Sequence, residues 1–295
     1  MPFRFKSLAG MSALTIDNHD RDRAGLTYVY PVLSRRSKGL SIGINLNPNN
    51  ACNWRCIYCQ VPGLTRGSAP VTDISLLERE LQTFLTSVID GDFYEKFQVP
   101  EAQRSIRDIA ISGNGEPTSS PVFDQVITTI GRVCMALQPA SDVARVLITN
   151  GSLISHPTVR RGLAEWGALG GEVWFKIDSA TQKGMRVIND ASHSGGAILQ
   201  RLATACGYCP VWIQTCMFDS SDAVLDRDSE RQAYLGLLRS ALDKGVKLKG
   251  VLLYGPARQV MQPEASLIVA PRPEAMQAFA ERIRQETGLM VKVTP

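Results

Sequence analysis

Apolar residues in this chain of 295 residues fall into short β-rich runs that alternate with longer stretches of helical spacing. The first run, Leu40–Leu46, lies between Gly39 and Pro48 and predicts the first core strand. Five later runs predict further strands, at Asp108–Ser112, Val143–Thr149, Glu172–Ile177, Val211–Met217 and Leu248–Tyr254.

Helical spacing separates these strands. A helix is predicted over Ile74–Val88 with Asp73 as its N-cap. Pro121 and Pro157 each stand where a helix tolerates a first-turn proline. The remaining helices are predicted at Pro121–Leu137, Pro157–Trp166, Gly195–Ala205, Glu230–Lys244 and Glu274–Thr287, and a short strand at Leu289–Val293 ends the pattern.

Six strands separated by helices predict an α/β fold of parallel βαβ units with right-handed crossovers. No shift in composition marks a linker, so we expect one domain at 28–295, preceded by a polar N-terminal extension at 1–27. In barrels built from such units, the loops at the carboxyl ends of the strands carry the functional groups. The candidate chemistry is therefore sought at those strand ends.

Composition restricts the function only weakly. The formal charge of +4 comes from 32 basic and 28 acidic side chains, which permits nucleic-acid contact without arguing for it. The seven cysteines are odd in number and three are crowded together, which indicates a reducing compartment rather than a disulfide framework. No apolar run reaches the length of a membrane span, so we expect a cytoplasmic protein with no membrane partner.

The three crowded cysteines, Cys52, Cys56 and Cys59, are spaced C-x3-C-x2-C with Tyr58 before the last. Thiolates are soft ligands that suit iron–sulfur clusters or zinc. A structural zinc site or a cluster used only for electron transfer usually takes four protein ligands, so three thiolates leave a position open. The alternative, a zinc site completed by a histidine, has no histidine near in sequence, since the three are His19, His156 and His193.

This spacing resembles the signature of the radical S-adenosylmethionine (SAM) enzymes. The resemblance implies a partial (β/α)6 barrel of TIM type, a [4Fe–4S] cluster on the three cysteines, and SAM on the fourth iron. It further implies reduction by a flavodoxin or ferredoxin-type donor and release of a 5′-deoxyadenosyl radical, with the protein supplying placement and exclusion of water. In that family the residue at the Tyr58 position packs near the adenine.

Two strand ends offer further SAM contacts. Gly113, Asn114, Gly115 and Glu116 follow the second strand, where glycines let backbone approach a ligand and the glutamate can accept from an ammonium group. Asn114-Gly115-Glu116 resembles the family's Gly-Gly-Glu motif, which holds the SAM amino group. Asn150 and Ser152 follow the third strand and could reach the SAM ribose or carboxylate, or form an ordinary turn.

The fourth and fifth strands supply the remaining candidates. A period of two places Trp174, Lys176 and Asp178 on one face, and charged groups should point into the barrel mouth. The resemblance implies ribose contact by Asp178 or Ser179. If Gln214 contacts the cofactor from the lumen, the same period points Cys216 into the lumen, where a thiol could donate a hydrogen atom to a substrate radical. The proposed substrate-contacting residues are Lys176, Cys216, Tyr254 and Arg258.

Two other features remain open. Cys206 and Cys209 could join Cys216 as ligands of an auxiliary iron–sulfur cluster, or form a reduced C-x2-C turn. Arg35 and Arg36 could bind an anionic substrate or pair with acidic side chains.

The segments Tyr28–Arg36, Gly113–Pro117, Thr149–Ser152 and Ile213–Thr215 look like the Fe–S oxidoreductase group related to tRNA-wyosine synthases. The chain lacks the extra cysteines that the wyosine enzymes carry before the core, so we favour a small-molecule substrate over tRNA. Alternatives are tRNA modification, transfer of another SAM fragment, a cluster-bearing electron carrier without SAM, and a zinc-dependent tRNA-binding module.

Overall fold

The computed structural model describes residues 13–15, 24–34, 38–140, 142–220 and 227–295. Arg35, Arg36 and most of the predicted N-terminal extension, including His19, lie outside the described residues. The strands of the described chain are β1 (Val29–Ser34), β2 (Gly39–Ile44), β3 (Ala51–Cys52), β4 (Thr65–Arg66), β5 (Ile106–Ile111), β6 (Ala144–Thr149), β7 (Glu172–Lys176), β8 (Val211–Cys216), β9 (Asp219–Ser220), β10 (Leu248–Tyr254), β11 (Ile268–Val269) and β12 (Val291–Thr294).

The helices lie between these strands much as the apolar spacing predicts. They are α1 (Ile74–Ile89), α2 (Phe93–Lys96), α3 (Phe123–Leu137), α4 (Pro157–Ala168), α5 (Gln182–Asn189), α6 (Gly195–Cys206), α7 (Arg227–Asp243) and α8 (Pro273–Thr287). Asp73 caps α1 as predicted, since its side chain accepts a hydrogen bond from the Leu76 N–H. Pro157 occupies the first turn of α4, whereas Pro121 lies two residues before α3 and not inside it.

One sheet of eight strands, in the order β1-β2-β5-β6-β7-β8-β10-β12, organises the described chain. Within this sheet, β1 pairs antiparallel with β2 at one edge, and the other seven strands pair in parallel with their neighbours. The sheet curls into a half-barrel, so the α/β partial barrel predicted from the six apolar runs is confirmed. Strand β1 and helix α5 were not predicted from the apolar spacing. Strand β12 joins the sheet as a seventh parallel strand.

Strands β2 and β8 are buried on both faces, as in a parallel sheet covered by helices, whereas β7 alternates between buried and half-buried residues. Trp166, Phe84 and Phe123 are among the largest fully buried side chains, and they lie on helices that cover the outside of the sheet. The inner face lines the lumen. Across the described residues, no helix is both long and apolar enough to cross a membrane.

Candidate active site

A cavity of about 350 Å³ lies at the carboxyl ends of the parallel strands and extends down into the lumen. Its lining combines residues 51–60, here called the cysteine loop, with residues 113–116 after β5, here called the glycine loop. Inward side chains from most strands of the sheet complete it. Of the predicted site residues, the cavity is lined by Cys52, Cys56, Tyr58, Cys59, Gly113, Asn114, Gly115, Glu116, Asn150, Lys176, Gln214, Tyr254 and Arg258. Ser152, Asp178, Ser179 and Cys216 lie off this lining.

The cysteine loop is held from two sides by backbone hydrogen bonds. The N–H groups of Arg55 and Ile57 donate to the last two carbonyls of α5, at 3.0 Å and 2.8 Å. On the other side, the Cys59 carbonyl accepts from the Met261 N–H at 2.9 Å. The Arg55 guanidinium also makes a bidentate pair with Glu264, at 2.8 Å and 2.9 Å. The loop is therefore positioned by segments distant in sequence.

Two of the three thiols accept hydrogen bonds from nitrogen. Cys52 Sγ lies 3.4 Å from the Trp54 N–H nitrogen, and Cys56 Sγ lies 3.2 Å from Asn189 Nδ2. Burial raises the pKa of Cys52 to about 11 and that of Cys56 to about 12. Both are therefore neutral thiols at neutral pH, and the N–H donors would suit the thiolates that a bound metal would require.

The donor set fits a cluster better than a single ion. Within the described ranges, no group of three or more His, Cys, Asp or Glu side chains converges to hold one metal ion. Tetrahedral zinc needs such convergence, whereas a four-iron cluster takes each thiolate on a different iron. His193 packs near Trp54, with ring centroids 6.2 Å apart, and does not line the cavity. Cys52, Cys56 and Cys59 are the cysteines on the cavity lining, which fits a cluster with three protein ligands.

The glycine loop needs glycine because it packs against the segment that follows β2 and against the start of the cysteine loop. A Cβ on Gly113 would lie 2.1 Å from Asn45 Oδ1, and one on Gly115 would lie 2.0 Å from the Ala51 carbonyl oxygen. Sequence reasoning attributed these glycines to close approach of a ligand. The structure gives a different reason, since a side chain at Gly113 or Gly115 would collide with neighbouring segments of the same chain, while the glycine backbone borders the cavity.

Glu116 is buried, 3% exposed, and joins two strand ends. Its Oε1 accepts from the Thr149 hydroxyl at 2.6 Å, and its Oε2 accepts from the Asn150 N–H at 2.7 Å. Burial raises the pKa of Glu116, although hydrogen bonds from Thr118 and Thr149 oppose that rise. A carboxylate oxygen can accept two hydrogen bonds, so Oε2 retains capacity for a donor in the cavity.

Asn53, inside the cysteine loop, was missed by the sequence analysis. Its Oδ1 accepts from Asn150 Nδ2 at 2.8 Å and its Nδ2 donates to Ser152 Oγ at 2.7 Å. This amide fixes the end of β6 against the cysteines. Ser152 is thereby engaged with the protein and placed off the cavity, as is Ser179, whose hydroxyl donates to Glu230 at 2.6 Å. Neither serine lines the main cavity, and their contact with the SAM ribose stays a prediction.

Lys176, Tyr58 and Tyr254 form a hydrogen-bonded wall of the cavity, and Asp178 lies behind it. Lys176 Nζ donates to Tyr58 Oη at 2.7 Å and to Tyr254 Oη at 3.1 Å, and lies 3.9 Å from Asp178 Oδ2. The Tyr58 hydroxyl donates to the same carboxylate at 2.5 Å. Burial is the largest influence and would lower the pKa of Lys176, but Asp178 together with Tyr254, Cys56 and Cys216 holds the pKa above its ordinary value. The lysine is a fixed cation at the cavity.

Cys216 occupies an inward position of β8 but does not line the main cavity, so hydrogen-atom donation by its thiol stays a prediction. The thiol is 4% exposed and packs with Tyr58, Ile188 and Val260, with Tyr254 against the same cluster. It borders a separate cavity of about 130 Å³. The alternation along β8 is correct, because Gln214 does line the main cavity. Aromatic side chains from other elements cover the next inward position, which strand periodicity cannot anticipate.

The auxiliary cluster at Cys206, Cys209 and Cys216 is also excluded by geometry. Cys206 ends α6 and Cys209 precedes β8, whereas Cys216 is the last residue of β8. At about 3.3 Å per residue, that strand separates its two ends by roughly 16 Å. Thiolates of one cluster cannot span that distance. Cys209 is buried and its Sγ donates to the Leu163 carbonyl at 3.4 Å, which fits the alternative of a reduced turn.

Comparisons with known proteins place the fold. No protein-family model matches the chain. A segment of 133 residues, 45% of this chain, is 31% identical to the GTPase Obg of Brachyspira hyodysenteriae, and the match spans 17% of that protein. The chain contains no Gly-Lys dipeptide and so lacks the G-x4-G-K-[S/T] loop by which P-loop proteins bind phosphates.

Among solved structures, anSMEcpe with bound AdoMet and the Cp18Cys peptide aligns with a TM-score of 0.53 and 12% identity, over 86% of this chain and 62% of that one. Coproporphyrinogen III oxidase (HemN) from Escherichia coli, described as a radical SAM enzyme, aligns with a TM-score of 0.46 and 11% identity, over 82% and 50% of the two chains. The chain thus spans 50% to 62% of those proteins' lengths. At such identity the similarity to anSMEcpe establishes a shared fold.

Proposed function

We propose that this chain is a radical SAM enzyme that binds a [4Fe–4S] cluster through Cys52, Cys56 and Cys59 and reductively cleaves SAM. The observation that carries the proposal is the position of these three thiols on one cavity, at the carboxyl end of a partial parallel barrel. A cluster with three protein ligands keeps one iron for a ligand that is not protein. The fold shared with anSMEcpe, whose structure contains AdoMet, supports the assignment.

When bound, the cluster and SAM supply electron transfer and a 5′-deoxyadenosyl radical, and the residues of the chain supply binding and exclusion of water. In this proposal the SAM ammonium group is received by Glu116, whose Oε2 keeps acceptor capacity, beside the backbone of the glycine loop. Asn150 and Gln214 offer amides from the neighbouring strand ends. Tyr58 borders the same space.

The proposed substrate contacts are Lys176, Tyr254 and Arg258, because all three line the cavity that the cysteines share. Gln214 is 3% exposed, and its amide has no hydrogen-bond partner within the described chain, so it is also available to a ligand. A cavity of about 350 Å³ and a net charge of +4 favour a small molecule over tRNA. We also propose that the core is related to the Fe–S oxidoreductases that resemble tRNA-wyosine synthases.

Anaerobic reduction of the reconstituted protein with dithionite in the presence of SAM tests the proposal. We expect about four irons per chain and formation of 5′-deoxyadenosine. The matched control is Cys56→Ala, which should lose both. Zinc as the bound metal would overturn the assignment, and an intact four-iron cluster that forms no 5′-deoxyadenosine would point to electron transfer or to transfer of another SAM fragment.

A further inference from the structure

Asn189 occupies a position beside the cysteine loop that no sequence signal marks. It is the last residue of α5 and is 1% exposed. Its Nδ2 lies 3.2 Å from Cys56 Sγ and 2.8 Å from Asp178 Oδ2. An amide nitrogen carries two hydrogens, so one amide serves both acceptors at once. Asn189 therefore joins a candidate cluster ligand to the carboxylate behind the wall that contains Lys176.

The surrounding backbone fixes this amide in place. The Asn189 carbonyl accepts from the Arg55 N–H at 3.0 Å, and the Ile188 carbonyl accepts from the Ile57 N–H at 2.8 Å. The helix stops immediately afterwards, because Asp190 adopts the left-handed conformation with φ 49°. These two backbone hydrogen bonds thus fix the position of the last turn of α5 relative to the cysteine loop.

The neighbours also determine which way the amide faces. Both groups that it touches, a sulfur and a carboxylate, are acceptors, so the nitrogen must face them. Asn189 Oδ1 has no hydrogen-bond partner in the described part of the chain. A flipped amide would place that oxygen against the Asp178 carboxylate and would lose two hydrogen bonds.

We infer that Asn189 is a positioning residue that stabilises the reduced state of the proposed cluster through its hydrogen bond to Cys56. Reduction adds negative charge to the cluster and its sulfur ligands, and hydrogen bonds to those sulfurs are among the features that set cluster potentials. The same amide separates the Cys56 sulfur from the Asp178 carboxylate, so that two negative groups do not meet directly. The inference rests on the proposed function.

Potentiometric titration of the reconstituted protein, followed by electron paramagnetic resonance (EPR), tests this role. In Asn189→Leu we expect the equilibrium constant for one-electron reduction to fall about tenfold, which corresponds to about 59 mV. The control is Asn53→Ala, which also removes an amide that anchors the cysteine loop but one that makes no hydrogen bond to sulfur. Its reduction constant should match the wild type.

The possible failures are distinguishable. A wild-type protein that binds no cluster refutes the proposed function. Equal reduction constants in loaded wild type and Asn189→Leu, or equal falls in Asn189→Leu and Asn53→Ala, refute the role of Asn189. If Asn189→Leu loads no cluster, electron spin echo envelope modulation of the reduced wild type and Asn53→Ala, labelled with ¹⁵N-asparagine, decides the question. A nitrogen coupling in both supports the hydrogen bond, and its absence overturns it.

Discussion

The two ends of the barrel carry the same kinds of residues in different surroundings. Cys56-x2-Cys59 lies at the carboxyl ends of the strands, and Cys206-x2-Cys209 lies just before β8, at the amino end. Cys56 Sγ accepts a hydrogen bond from an amide, whereas Cys209 Sγ donates one to a carbonyl. An accepting sulfur suits a thiolate and a donating sulfur requires a neutral thiol. Spacing alone does not decide which C-x2-C binds metal.

Lysines and glycines show the same contrast. Lys176 is held in the cavity wall near Asp178, while Lys249 makes a surface pair with Glu172 at 2.7 Å, where the two strands begin. Gly115 has no room for a side chain, but a Cβ on Gly207 would approach nothing closer than 3.3 Å. Of these four positions, Lys176 and Gly115 at the carboxyl end are therefore more constrained than Lys249 and Gly207 at the amino end.

The largest expected difference lies between the two cysteine pairs. Cys56→Ala should abolish iron binding, because a cluster would keep only two thiolates. Cys209→Ala should retain about four irons per chain, since its thiol is buried far from the cavity. Iron analysis after anaerobic reconstitution measures both. Loss of half the iron in Cys209→Ala would indicate an auxiliary cluster and contradict the contrast.

Removal of the buried lysine should destabilise the fold strongly. Lys176→Met leaves the Asp178 side chain, which is 0% exposed, with hydrogen-bond donors but beside no cation, and removing one partner of such a buried pair costs about 3 kcal/mol. Lys249→Met should cost under about 1 kcal/mol, because Lys249 is 45% exposed and Glu172 keeps its hydrogen bond from the Trp174 indole. Urea unfolding of the apo-proteins gives both free energies. Equal losses of unfolding free energy in the two lysine variants would show that the two ends of the barrel do not differ electrostatically.

Glycine substitution sharpens the packing contrast. Gly115→Ala should lose about 1–3 kcal/mol of unfolding free energy, because its Cβ would meet the Ala51 carbonyl oxygen at 2.0 Å. Gly207→Ala should change stability by less than about 0.5 kcal/mol, since the nearest atom to its Cβ would be the Thr204 carbonyl oxygen at 3.3 Å and a φ of −72° suits any residue. Thermal denaturation of both variants provides the comparison. A neutral Gly115→Ala would mean that the two loops do not pack as described.

The smallest effect is expected at the ion pair that braces the cysteine loop. The hydrogen bond from Arg55 holds the pKa of Glu264 below its ordinary value, so the pair stabilises the fold above that value and the contribution disappears as pH falls through the lowered one. Glu264→Gln should therefore lose about 0.5 kcal/mol near neutral pH and converge with the wild type below about pH 4. Unfolding at several pH values tests the sign. A deficit that grows towards low pH would refute it.

Sequence patterns predict the parts of this molecule that depend on local chemistry. Apolar runs locate the six parallel strands, and the strand ends locate the cysteine and glycine loops. The covering of Cys216 by Tyr58 and Tyr254 depends on side chains from other elements, so periodicity within β8 could not reveal it. Helix α5 is short and mostly polar, with Met185 and Ile188 among its few buried residues, and gives little signal.

The asparagines illustrate the same limit. Asn53 and Asn189 act through partners 97 and 133 positions away, and neither lies in a recognisable motif. Glu80 is a further example, because this buried residue of α1 accepts the Tyr28 N–H at 2.8 Å and so anchors the start of β1. A charged residue within a helix ordinarily predicts an exposed position. Only the folded chain shows that these polar groups organise the site.

The most direct test of the central claim is the EPR spectrum of the reduced protein with and without SAM. The account predicts a signal from a four-iron cluster that changes shape when SAM is added, because one iron is left open by Cys52, Cys56 and Cys59. The same change should persist in Cys209→Ala. An intact four-iron cluster whose spectrum is identical with and without saturating SAM would contradict the account.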